Sequence, residues 1–307
     1  RHRLSGTIEY YNKYSVDLLA AINGSPTQGF GYTTLMTNNG KMVNRGVEIT
    51  LSGEIIRQKD FSWNASLLYA FNRNKVKHIS VQPSLWDSRI SMPTSYPMVG
   101  KPLYGIYAYK WAGLNENGDP QVYDAENNVT SGPARDYHAL VYCGTTVPIH
   151  NASLTNVLRY KGFEFSAMLI LDAGHKLRSS NIPSINMSNG RITSTAKGIV
   201  DRWTQPGDVT DVPRLLFSND TENFNTHRTE LYRYSDLFVY DASNIRLSNI
   251  SLAYRVPAHW CKKISLSGAR LQFNVENVAT FAFDSKANYD LGGKMKPNYV
   301  WGLYLNF

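Results

Sequence analysis

The chain has 307 residues, a net charge of +8, a mean hydropathy of −0.35 and two cysteines, Cys143 and Cys261. Two cysteines are too few for a disulfide scaffold or a zinc ribbon, and no stretch reaches the roughly 18 apolar residues of a transmembrane helix. A basic balance can indicate nucleic acid, but also anionic lipid headgroups or lipopolysaccharide phosphates. No basic run with a nucleic-acid-reading motif occurs. Aromatic residues make up 12% of the chain, which is typical of lipid–water interfaces but also of tyrosine-rich soluble β proteins.

Eight segments alternate apolar and polar residues with a period of two, which predicts β-strands. The sixth segment, residues 245–256, changes phase near Ser248 and Asn249, which predicts a β-bulge there. Residues 192–203 allow one helix. In chain order, the predicted strands cover residues 4–18, 47–55, 61–72, 154–160, 163–172, 245–256, 270–281 and 298–307.

The connections between these strands differ in length. If neighbouring strands are antiparallel, every long connection falls on the same side of the sheet. Outer-membrane β-barrels sort their loops in this way, with short periplasmic turns and long outer loops. The short connections are 57–60, 160–162 and 257–263, and the long ones are 22–44, 79–150, 173–242 and 282–297.

The alternation also assigns side chains to two faces. In a barrel the apolar face contacts lipid, and the polar face lines the lumen, where substitutions tune selectivity. The set expected to face lipid is Trp63, Leu67, Leu169, Phe273, Val275 and Leu303. The set expected to face the lumen is Glu48, Glu54, Asn64, Ser66, Glu164, Arg270, Asn274 and Glu276.

Each end of the chain leads to a prediction. The last segment alternates aromatic and polar residues up to Phe307, and it is similar to the closing strand of outer-membrane barrels. We therefore expect Phe307 to act as an assembly signal. The chain begins at Arg1 in mid-pattern, without an initiator Met or a signal peptide, so we interpret it as a fragment or a processed segment.

Motifs for covalent or metal chemistry are missing from the sequence. The seven histidines do not pair at metal-ligand spacing, and there is no nucleophile elbow and no Walker loop. Residues 115–119 resemble a calcium loop, but the bidentate Glu expected at its twelfth position is missing, which favours a tight turn. We therefore expect no enzymatic activity, no cofactor and no metal.

Six motifs, taken in order, resemble the SusC/RagA family of TonB-dependent outer-membrane transporters. The likeness extends from about Asn44 to Phe307. Residues 284–290 depart from it, because the family has a Gly-containing acidic turn there. The motifs lie in residues 44–49, 61–63 with 72–76, 100–107, 111–120, 202–208 and 242–254.

This resemblance implies an all-β fold, in which residues 1–307 supply about eight antiparallel strands at the C-terminal end of a 22-stranded barrel. The plug domain and the N-terminal strands would be absent from this chain. The whole transporter would lie in the outer membrane of a Bacteroidetes-like bacterium, among lipid and lipopolysaccharide. It would import glycans or peptides with energy from TonB, which binds through the missing N-terminal region, and a SusD-like lipoprotein would cap it.

Two alternatives stay open. One is a self-standing small outer-membrane barrel with an adhesive or structural role, since eight strands can close. The other is a soluble carbohydrate-active β protein. Three tryptophans of the long connections, Trp86, Trp111 and Trp203, are candidates for contacting a partner or a substrate. For Trp203, packing of the long connections against each other is the favoured role.

Overall fold

The computed structural model describes residues 3–23, 27, 34–81, 88–132, 136–187, 196–217, 226–291 and 296–307. Among these residues, no α-helix has the length and apolarity needed to cross a membrane. The strands are β1 (Leu4–Asn23), β2 (Thr34–Arg57), β3 (Phe61–His78), β4 (Gly105–Tyr109), β5 (Trp111–Leu114), β6 (Pro120–Tyr123), β7 (Val129–Thr130), β8 (Leu140–Thr145), β9 (His150–Tyr160), β10 (Phe163–Ala173), β11 (Lys176–Arg178), β12 (Asn186–Met187), β13 (Leu216–Phe217), β14 (Val239–Asp241), β15 (Asn244–Arg255), β16 (Gly268–Ala282) and β17 (Asn298–Asn306). The α-helices are α1 (Ser88–Ser91), α2 (Thr226–Arg233), α3 (Ala258–Lys262) and α4 (Asn288–Leu291), and 3₁₀ turns cover Tyr137–Ala139, Lys197–Asp201, Asp236–Phe238 and Ser285–Ala287.

One large antiparallel sheet contains the eight strands that the sequence predicts. Its order is β1-β2-β3-β9-β10-β15-β16-β17, so each strand pairs with the preceding and following predicted strands along the chain. The all-β prediction and the strand order are therefore confirmed. In the described part of the chain, β1 and β17 form the two edges and do not pair with each other.

The predicted connection 22–44 is wrong in its extent. Strand β1 continues to Asn23 and β2 begins at Thr34, with Asn23 and Thr34 paired across the two strands. The polar run around Asn38 and Gly40 breaks the apolar alternation from which the strand was predicted. A β-ladder needs only backbone N–H and C=O groups, so pairing continues where the side-chain pattern stops. The other long connections leave the strands on the same side as predicted.

The predicted β-bulge is confirmed. Leu247 and Asn249 pair with consecutive residues of β10, Leu169 and Met168, so that Ser248 is the extra residue. The same shift appears in the pairing of β15 with β16. The helical prediction within 192–203 corresponds to the 3₁₀ turn Lys197–Asp201, and residues 192–195 lie outside the described residues.

The strand register separates the side chains of the sheet into two faces, as predicted. We call them the apolar face and the polar face. Cross-strand partners share a face because successive side chains alternate. One row of the apolar face contains Leu51, Leu67, Leu154, Leu169 and Leu247. The neighbouring row of the polar face contains Ser52, Ser66, Thr155, Met168 and Asn249.

The apolar face is accessible in this structure. Trp301 is 78% exposed and Leu303 is 62% exposed. Asn156 also lies on this face, and its Oδ1 accepts a hydrogen bond of 3.1 Å from Nε1 of Trp63. A contiguous apolar surface of this kind marks a contact with protein or with a membrane.

The compact core of the chain lies outside the large sheet. The described residues of the connections 79–149 and 174–243 fold together into a unit that we call the loop module. Small sheets β4–β8, β5–β6–β7, β11–β14 and β12–β13 form within it. Its two buried clusters contain Tyr107, Tyr109, Val122, Ala139, Leu140 and Leu231, and Ile185, Tyr232 and Phe238.

Candidate functional site

All eight polar residues that the sequence proposed for the lumen share the polar face, Ser66 and Asn274 among them. Glu54 pairs with Asn64 across β2 and β3, and Glu276 pairs with Asn249 across β16 and β15. The remaining three residues, Glu48, Glu164 and Arg270, have the same parity on their strands. The register therefore gathers residues from β2, β3, β10 and β16 onto one surface. Their position in a lumen stays a prediction.

A charged cluster lies near the short-connection end of this face. Arg159 donates from Nε to Oε2 of Glu164 at 2.7 Å, and Arg270 donates from Nη2 to Oε1 of the same carboxylate at 3.1 Å. These residues and Arg255 line a cleft of about 140 Å³. Two guanidinium groups therefore bind one carboxylate, and a third lines the same cleft. All are partly exposed, so the ion pairs hold the side chains in place more than they stabilise the fold.

Neutral hydrogen-bonding groups continue the polar face. The hydroxyl groups of Ser52 and Ser66 lie 2.8 Å apart, and Nε2 of Gln272 donates to Oδ1 of Asn274 at 3.0 Å. No group of His, Cys, Asp and Glu side chains that could hold a metal occurs in the described ranges. A surface of hydroxyl, amide and guanidinium groups suits non-covalent recognition of hydrophilic ligands.

The loop module is held together by a buried arginine that sequence reasoning missed. Arg228 of α2 is 2% exposed. It donates from Nε to Oδ1 of Asp119 at 3.1 Å, and from Nη2 to the backbone oxygen of Arg214 at 2.7 Å. Its Nη1 donates to Oδ1 of Asn186 at 2.7 Å and to the backbone oxygen of Ile185 at 3.2 Å. Burial lowers the pKa of Arg228, and the charge of Asp119 opposes that shift.

Asp119 connects the two long connections. Besides Arg228, it accepts two hydrogen bonds from Arg214, from Nε at 3.1 Å and from Nη2 at 2.8 Å. Asp119 belongs to the first long connection, whereas both arginines belong to the second. The carboxylate with its two guanidinium groups therefore fastens one connection to the other. Nothing in the local sequence around Arg228 marks it as buried, because its partners are distant along the chain.

The turn that precedes β6 positions Asp119. Oδ1 of Asn115 accepts hydrogen bonds from the backbone N–H groups of Asn117 at 3.0 Å and Asp119 at 2.9 Å. An Asn side chain that closes a turn in this way is a common turn-forming device. The sequence-based preference for a tight turn over a calcium loop agrees with this geometry.

Trp203 packs against the same turn. Gly118 has a φ of +73°, and a Cβ atom built on it would lie 2.4 Å from the Trp203 ring. The indole therefore occupies the space that a side chain at position 118 would need. This contact joins the two long connections, as the favoured role for Trp203 requires.

Trp111 also lies between the two connections. Its Nε1 donates to Oδ1 of Asp211 at 2.9 Å, and its ring centroid lies 5.9 Å from that of Tyr232. The contacts of Trp111 and Trp203 are therefore internal to the loop module, and a partner or substrate role for them stays a prediction. Trp86 lies outside the described residues. The Phe307 side chain is 92% exposed, and its role in assembly also stays a prediction.

A substitution at Gly118 tests the contact with Trp203. Gly118→Ala should lower the local stability of the loop module by about 1–3 kcal/mol, because a Cβ both strains the positive φ and displaces the indole. Gly207→Ala is the matched control, since Gly207 has a φ of +97° with nothing within 4 Å of an added Cβ. The rate of protease cleavage of each full-length variant in detergent measures the local stability of the loop module. Equal sensitivity of the two variants would show that the Trp203 contact adds nothing.

Comparisons with known proteins agree with this architecture. The chain is 25% identical over 324 aligned residues to the TonB-dependent receptor P3 of Formosa agariphila, covering 98% of this chain and 31% of that protein. It is 23% identical to the TonB-dependent receptor SusC of Bacteroides thetaiotaomicron, covering 90% of this chain and 26% of SusC. The solved RagAB peptide transporter contains a chain with a similar fold, with a TM-score of 0.72 and 22% identity, covering 99% of this chain and 34% of that one. No protein-family model matches the chain.

The two-faced antiparallel sheet and these similarities show the fold of a portion of an outer-membrane β-barrel. Within that class, the chain is similar to a C-terminal barrel portion of SusC/RagA-type TonB-dependent receptors. It spans 26–32% of the length of the curated relatives that it matches.

Proposed function

We propose that the full-length protein is a TonB-dependent transporter that imports glycans or peptides across the outer membrane. The observation that carries this proposal is the similarity to TonB-dependent receptors over nearly the whole chain. The RagAB proteins are described as a peptide transporter and importer, which supports peptides as one of the two cargo classes. The polar face, with its hydroxyl, amide and guanidinium groups, suits either kind of hydrophilic cargo.

We propose further that the large sheet is part of a larger barrel of 22 strands. Strands β1 and β17 expose edges in the described part of the chain, and unpaired edges are not tolerated in the hydrocarbon region of a bilayer. Additional strands of the longer protein would pair with them. The open sheet argues against a self-standing eight-stranded barrel, and the exposed apolar face argues against a soluble enzyme.

The proposed partners are TonB, which would act through a region outside this chain, and a SusD-like surface lipoprotein. The loop module supports a role for the lipoprotein, because it is a folded unit with its own buried clusters and lies at one end of the sheet. A preformed surface loses less conformational entropy on binding than a flexible loop would. In this arrangement the polar face lines the lumen and meets the cargo.

Uptake by the native host tests the transport proposal. Deleting the gene should abolish growth on one glycan or on peptides as the sole source of that nutrient, and the full-length gene should restore it. A complementing protein that lacks the TonB-binding region should reach the outer membrane without restoring growth. Restored growth with that protein would refute TonB dependence.

Co-purification tests the partner proposal. Removing residues 196–217 from the full-length transporter takes away Trp203 and Arg214 and should lower the yield of the co-purified lipoprotein at least tenfold. The matched control shortens the turn between β2 and β3, at the opposite end of the sheet, and should leave the yield unchanged. If the lipoprotein still binds with the same affinity after both long connections are shortened, the loop module does not hold it.

A further inference from the structure

We propose that Arg45, Arg73 and Lys75 form a binding site for the phosphate group of a membrane lipid, at the long-connection end of the apolar face. The site uses neither the polar face nor the cargo, so it is independent of the transport proposal. It depends on the outer-membrane location of the sheet.

The strand register brings the three cations together. Arg45 of β2 pairs directly with Arg73 of β3, and Lys75 is the next residue of β3 on the same face. Directly paired residues of antiparallel strands have Cβ atoms about 4.5–5.5 Å apart. All three residues are exposed. Three positive charges therefore occupy one small area.

This area borders the apolar surface. The row next to Arg45 and Arg73 is the pair of Val47 and Phe71, which belongs to the apolar face. On β3 the outward positions from Phe61 to Phe71 are apolar or aromatic. At about 3.3 Å per residue and a strand tilt near 40°, that run spans about 25 Å across the membrane, which is the height of the apolar band of an outer-membrane barrel. The cations therefore lie at the membrane depth where the acyl chains end and the lipid headgroups begin.

No carboxylate of the described residues neutralises the charges of the cluster. Within the described ranges, none of the three cations forms an ion pair with a carboxylate. Arg45 donates from Nε to Oδ1 of Asn12 at 3.0 Å, a neutral contact that orients the guanidinium group.

Phosphate is the ligand group that this arrangement fits. Guanidinium groups bind phosphate oxygens through paired N–H donors, and a lysine adds a mobile point charge. The adjoining apolar surface favours a phosphate that is attached to acyl chains over a soluble anion. Each basic residue near a charged membrane surface contributes to lipid affinity, and the contributions decline with added salt.

The test measures lipid binding to the full-length protein in detergent. The variant Arg45→Gln/Arg73→Gln/Lys75→Gln should bind phosphorylated lipid A on the order of a hundredfold more weakly than wild type, as counted by native mass spectrometry. Wild-type protein should bind dephosphorylated lipid A more weakly than phosphorylated lipid A by a similar factor. The variant Arg45→Lys/Arg73→Lys keeps the charges and should retain most of the binding, which separates loss of charge from misfolding.

The matched control removes the same charge elsewhere. Lys59→Gln/Lys262→Gln/Lys263→Gln neutralises three exposed lysines at the short-connection end of the sheet and should leave lipid A binding unchanged. The proposal is overturned if the cluster variant binds phosphorylated lipid A as tightly as wild type, or if the control loses as much affinity. It is also overturned if inorganic phosphate competes as well as the lipid does, because the apolar surface then plays no part.

Discussion

Replacing Asp119 by Ala is expected to open the loop module at a cost of about 3–5 kcal/mol, because the buried guanidinium of Arg228 loses the carboxylate that compensates it. An uncompensated charge at a position that is 2% exposed is costly, since water cannot replace the lost partner. Arg214 is less affected, because its side chain is 24% exposed and water can solvate it. Asp119→Asn keeps one acceptor oxygen and should cost less than Asp119→Ala.

Hydrogen–deuterium exchange of the full-length protein in detergent measures this effect. Exchange should rise sharply in α2 and β6 and stay unchanged in β9 and β10, because local opening of the module does not break the large sheet. Asp136→Ala is the control, since Asp136 is exposed and, among the described residues, its carboxylate contacts only His138. Unchanged exchange in α2 of the Asp119→Ala variant would show that the buried network does not hold the module together.

Leu67→Arg is expected to destabilise the barrel by about 2–4 kcal/mol, the cost of a charge at the bilayer midplane. Leu67 lies near the middle of the outward apolar positions of β3, between Leu51 and Leu154 of the neighbouring strands. An arginine there must either remain in hydrocarbon or draw water into the membrane. The amount of folded protein in the outer membrane should fall, and the denaturant midpoint of the purified protein should drop.

Ser66→Arg is the matched control, because Ser66 is the preceding residue and lies on the opposite face. It loses a contact of 2.8 Å with the hydroxyl group of Ser52, which is worth about 1 kcal/mol, and it places no charge in lipid. Folded protein in the membrane should stay close to the wild-type amount. If the two variants had the same effect, or if Ser66→Arg were the worse, the assignment of the faces would be wrong.

The alternation of side chains was enough to predict the sheet. A period of two places Leu67 and Ser66 on opposite faces wherever the strand lies, because this geometry belongs to the extended backbone itself. The same argument predicted the bulge near Ser248 and Asn249, where the phase changes, and the strand pairing identifies Ser248 as the extra residue. It failed for residues 34–41, where polar side chains interrupt the pattern while the backbone ladder of β1 and β2 continues.

The contacts between distant segments were decided by the tertiary structure. Glu164 meets Arg159 and Arg270 because three strands lie in one register, and Arg45 meets Arg73 for the same reason. A residue's own neighbours along the chain determine its face, but its partner depends on how far the adjacent strand is shifted.

The loop module shows even more strongly that local sequence predicts local structure, whereas contacts between distant segments depend on the tertiary structure. The sequence around Asp119 predicts a turn, and the favoured role of Trp203 is packing of the long connections against each other. That Arg228 would be buried between them follows only once the two long connections have folded against each other. Hydrophobic periodicity is a local property of the chain, whereas burial of a charged group depends on partners about a hundred residues away.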